Sequence, residues 1–85
     1  MLTKKEVWEK YRKVPLKFAT YYKYTFTFEG QAEDGAIIYY SIGGSHEDIY
    51  KEPIQRDTIR TLEDTQYSRI RIKLDEKIIY EEYPF

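Results

Sequence analysis

Gly43-Gly44-Ser45-His46-Glu47-Asp48 gathers a serine, the single histidine and two acids into six consecutive positions. Ser45, His46 and an acid are the side-chain types of a hydrolytic triad. A triad needs three groups that converge in space beside an oxyanion donor, and adjacent residues of one loop do not meet that condition. His46 with Glu47 and Asp48 is also a partial metal-ligand set. The chain has no cysteine and no second histidine to complete it, so no metal is expected. Gly43, Gly44 and Ser45 offer backbone N–H groups to a phosphate, but Glu47 and Asp48 put negative charge where the anion would sit. No Gly-Lys-Ser/Thr of a phosphate loop is present. The glycines are more simply read as turn geometry after a strand. The expectation is a protein that is not an enzyme and uses no cofactor, with a ligand or catalytic site at the 43–48 loop as the weakest of three readings.

A second constellation is a surface rather than a motif. Tyr21, Lys23 and Thr25 alternate along one aromatic-rich stretch, Tyr39 lies in the next, and Tyr67, Arg69, Arg71 and Lys73 alternate along a third. On an open sheet face these side chains interleave rings with cations. Such a mixture suits protein interfaces, where Tyr and Arg are enriched, and it also suits stacking and phosphate contacts with single-stranded nucleic acid. Ordinary strand chemistry explains it too, since Tyr and Thr favour strands and opposite charges pair across them. The leading expectation is a protein-interaction module that binds through this face or through a sheet edge, where a homodimer is one outcome. A single-stranded nucleic-acid binder is the alternative. Near-zero net charge disfavours it: fourteen basic side chains stand against fifteen acidic ones, for a formal net charge of −1.

These residues need elements to hold them. Thr3 to Val14 reads as a helix, with Thr3 and Glu6 spaced as a capping box and Val7, Tyr11 and Val14 on one stripe beside Trp8. Pro15 ends it. Phe18 to Glu29 alternates, with Phe18, Tyr22, Tyr24, Phe26 and Phe28 on one side, and is expected to form one central strand. Ala36 to Ile42 is a second strand, apolar on both sides. Residues 49–66 are poorly patterned: Ile49–Glu52 and Asp57–Leu62 are candidate short strands or helical turns. Tyr67 to Leu74 alternates strictly, and Ile78 to Tyr83 returns as its partner. A three-residue turn would bring Ile78 and Tyr80 to the core, a two-residue turn Ile79. Asp75-Glu76 lacks the glycine or asparagine of a tight turn, which favours the longer loop.

The sum is an α+β protein in which one N-terminal helix packs on an antiparallel sheet of four or five strands, with residues 1–85 as one small domain. Its expected core is Val7, Trp8, Tyr11, Phe18, Tyr22, Tyr24, Phe26, Phe28, Ile38, Tyr40, Ile42, Ile70, Ile72 and Leu74. Without cysteine, the core is the only staple. Charge is uneven along the chain: residues 1–24 hold seven basic and two acidic side chains, residues 25–64 three and nine. No signal peptide and no apolar run of membrane length is visible, so a cytoplasmic protein with no membrane partner is expected.

Overall fold

The computed structural model describes residues 1–43, 54–64 and 67–83. Its elements run α1 (Lys4–Tyr11), β1 (Leu16–Tyr22), β2 (Thr25–Gln31), β3 (Ile37–Gly43), β4 (Ile59–Arg60), β5 (Arg69–Leu74) and β6 (Lys77–Glu82). The strands form one sheet in the order β4-β1-β2-β3-β5-β6, every neighbour antiparallel. The fold is α+β, as the sequence suggested, with six strands rather than four or five. One extra strand comes from residues 59–60, within the Asp57–Leu62 segment. The candidate strand at 49–52 lies outside the described residues.

The other extra strand corrects the reading of residues 18–29. They form a hairpin, not one strand. Tyr22 pairs with Thr25, and Lys23-Tyr24 makes the link. Lys23 takes φ 55, a conformation usually left to glycine, so the alternating pattern carried no visible turn signal. A register shift between Phe18 and Thr20 inserts Ala19 as an extra residue. From there the parity flips, because one added residue exchanges the faces. Tyr22 and Tyr24, expected in the core, are 72% and 49% exposed.

α1 opens as the sequence indicated: the Thr3 hydroxyl accepts from the Glu6 N–H, and Glu6 reaches back to the Thr3 N–H. It stops one turn earlier than Val14. Val7 and Tyr11 bury against the inner face of the sheet, made of Leu16, Phe28, Ile38, Tyr40, Ile70, Ile72 and Tyr80. Leu62, on the chain leaving β4, enters the same core. Trp8, Phe18, Phe26, Ile42 and Leu74 pack at its margin, half-buried. Gly30 lies where the chain between α1 and β1 crosses β2. A Cβ there would run into the Pro15 carbonyl oxygen and the Leu16 side chain, so the strand admits only glycine at that point.

The C-terminal hairpin reconciles the two turn readings. Leu74 pairs with Lys77, so the link is the two-residue turn Asp75-Glu76, not the longer loop. Both residues adopt left-handed conformations, φ 51 and 66. A register shift beside Ile72 then adds one residue to β6, and Ile72 comes to face Tyr80. Two turn residues plus one bulge residue give the far pairing that a three-residue turn would give. Tyr80 is therefore buried as that reading required, while Ile78 stays 43% exposed.

Candidate functional site

The outer face of the sheet is set by register. Tyr39 faces Arg71 across β3 and β5, Ser41 faces Arg69, and Ile37 faces Lys73. On the other side of β3, Thr27 faces Ser41 and Glu29 faces Tyr39. Among the described residues no helix or strand packs on this face. Thr27, Tyr39, Ser41, Arg69, Arg71 and Lys73 line an open groove of about 300 Å³ on it. Four of the seven residues singled out from the sequence, Tyr39, Arg69, Arg71 and Lys73, are thus brought together.

The other three are not. Tyr21 lies on the inner side of β1, its ring 4.7 Å from that of Phe26, because the Ala19 bulge reversed the parity. Lys23 sits in the β1–β2 turn, its ammonium 5.4 Å from the Tyr22 ring. Tyr67 is buried, with its ring 5.5 Å from Tyr40. The chain bends at Ser68, whose N–H donates to the Ser41 carbonyl at 2.7 Å, so the strand alternation begins only at Arg69. Of the 43–48 loop, Gly43 closes β3 opposite Thr25; Gly44, Ser45 and His46 lie outside the described residues. Among the described residues no three His, Asp or Glu side chains gather to hold a metal.

Electrostatics in the groove centre on Glu81, which the sequence reading missed. Its Oε2 accepts from Arg71 Nε at 2.8 Å and from Arg69 Nη2 at 3.2 Å. Lys73 Nζ stands 5.9 Å from the Tyr39 ring, and the Arg69 guanidinium 5.2 Å from that of Tyr83. Arg69 and Arg71 share the Glu81 carboxylate, Lys73 adds a third cation to the groove, and Glu29 stands beside Tyr39 on the same face. A three-residue turn over 75–77 already sets Arg71 opposite Glu81, and the β6 bulge restores that register across the two-residue turn.

Two polar clusters lie away from the groove. Glu82 accepts from Lys4 Nζ at 3.3 Å, from the Tyr67 hydroxyl at 3.2 Å and from the Tyr80 hydroxyl at 2.7 Å. Burial pushes both phenols above their ordinary pKa, and the carboxylate adds to it. In this cluster Glu82 satisfies the two part-buried hydroxyls. At the other end of α1, the Tyr11 hydroxyl donates to Asp34 Oδ2 at 2.7 Å, and Asp34 Oδ1 accepts from the Ala36 N–H. Burial first, then this bond, pushes Tyr11 up to about 12. The tyrosine hydroxyl holds the Asp34 carboxyl below its usual range.

No protein-family model matches the chain, and neither a curated protein nor a solved structure matches it. Its own geometry defines it: one helix over the inner face of a six-stranded antiparallel sheet, and a cation-lined groove on the outer face. Among the described residues no helix is long and apolar enough to cross a membrane.

Proposed function

We propose that this chain is a non-enzymatic protein-interaction module that binds a partner across its outer sheet face. One observation carries the reading: Tyr39, Arg69, Arg71 and Lys73 converge on an open groove on the side of the sheet opposite α1. Tyr and Arg are the residues that anchor protein interfaces, since each buries a large area and pairs a polar tip with an apolar body. A sheet edge is the second place for a partner. The Leu2 N–H already donates to Ile79 on β6, whereas β4 pairs with only Leu16 and Lys17 of β1. A homodimer formed by strand pairing would use β1 beyond Phe18.

Affinity capture tests the reading, with the parent beside a folded Tyr39→Ala, Arg69→Ala, Arg71→Ala variant, with and without nuclease. A specific protein that resists nuclease and is lost with the variant is the expected result. Nucleic acid recovered with the parent alone would favour the single-stranded nucleic-acid reading. Equal capture by both proteins would reject this face.

A further inference from the structure

We propose that the groove takes an extended acidic segment of a partner protein, with carboxylates at alternate positions, and that Glu81 is the internal carboxylate it displaces. This rests on the reading of the outer face as a partner-binding surface. Arg69, Arg71 and Lys73 occupy every second position of β5, so their Cα atoms stand about 6.6 Å apart along one line. Side chains on one face of any extended segment repeat at that same interval. A ligand with acids at alternate residues therefore matches the row cation by cation, and a helical or blocked acidic run does not.

Glu81 shows the chemistry already in place. One of its oxygens accepts from both Arg71 and Arg69, which is how an incoming carboxylate would be held. Lys73 pairs with no carboxylate among the described residues, and its ammonium rests over the Tyr39 ring. The opposite wall, Thr27 and Ser41, offers two hydroxyls 3.5 Å apart. A volume of about 300 Å³ is at the small end for an enclosed metabolite but suits a few side chains of a segment lying across the sheet. Glu29 beside Tyr39 and Glu81 between the arginines repel a continuous polyphosphate more than a peptide that can place neutral residues between its acids.

The test is a titration of a short labelled peptide alternating threonine and glutamate. Beside it run the same peptide with glutamine for glutamate and an oligothymidine of matching length. Saturable binding of the glutamate peptide alone is expected. Arg71→Gln and Lys73→Gln should each weaken it about tenfold, the loss of one charge-assisted contact. Glu81→Gln should tighten it about fivefold by removing the competitor; a merely structural Glu81 would leave affinity unchanged or lowered. No saturable binding, equal binding of the glutamine peptide, tighter oligothymidine binding, or no gain from Glu81→Gln overturns the proposal. If the peptide fails while the capture experiment still yields a protein dependent on Tyr39, Arg69 and Arg71, only the ligand chemistry is wrong. If both fail, the outer face is not the binding surface.

Discussion

Tyr40 and Tyr39 are neighbours on β3 and point to opposite faces of the same sheet. Tyr40 is fully buried, between the rings of Phe28 and Tyr67. Tyr39 is half-buried, faces Arg71 across the strand pair and carries the Lys73 ammonium near its ring. One face is closed by α1 and Leu62 and holds the chain together; the other gathers Arg69, Arg71 and Lys73, the carboxylates Glu29 and Glu81, two hydroxyls and the Tyr39 ring. The difference is one of solvent. Apolar area removed from water stabilises the fold, whereas charge pairs on a wet face contribute little and remain available to a partner.

Breaking the inner face should cost most. Phe28→Ala removes a fully buried ring that meets Phe18 and Tyr40 edge-on, and urea melts should show a loss on the order of 3–5 kcal/mol. Phe26→Ala, at the core margin, should cost less. Next comes the inner polar cluster. Glu82→Ala leaves the Tyr67 and Tyr80 hydroxyls without their carboxylate acceptor, a loss of about 1–2 kcal/mol by the same assay. The turns should move stability the other way. Lys23→Gly and Glu76→Gly replace side chains held at φ 55 and 66, and each should stabilise by about 1 kcal/mol.

The pH dependence follows the inner phenols. Tyr11 has its pKa raised from 10.0 to about 12 in the folded state. Its contribution is fully present below pH 10.0 and is lost as pH rises towards about 12. The parent should therefore lose stability across that window, and Tyr11→Phe should flatten part of the loss when melts are repeated along the alkaline series. On the acid side, the lowered Asp34 carboxyl contributes above its ordinary value and loses its contribution as pH falls through the depressed one. Tyr11→Phe should return that carboxyl towards the usual range in an NMR titration.

Much of this was legible before the structure. The capping box and the inner set Ile38, Tyr40, Ile70 and Ile72 follow from spacing alone, whereas α1 ends at Tyr11, ahead of the stop expected at Pro15. The row Arg69, Arg71 and Lys73 also follows from spacing, because a strand's period of two leaves no choice of face once the core side is set. What failed was parity. A bulge at Ala19 and a turn at Lys23-Tyr24 reversed the aromatic hairpin, taking Tyr21 out of the outer face and Tyr22 out of the core. Neither leaves a mark in composition, because Lys23 stands where a glycine would have announced the turn. Tyr67 failed for a related reason: it has the right parity for the outer row but precedes the bend at Ser68. Glu81 was within reach of the sequence, since the longer turn sets it opposite Arg71; the actual two-residue turn keeps that pairing only because β6 carries a bulge.

The division of labour between the faces is tested most directly by urea denaturation of the Arg69→Gln, Arg71→Gln double variant beside the parent. Its prediction is an unchanged m value and a stability within about 1 kcal/mol of the parent, because the row pairs on a wet face. A loss of about 3 kcal/mol or more would show that the outer cations hold the fold together, and would contradict their assignment to a partner.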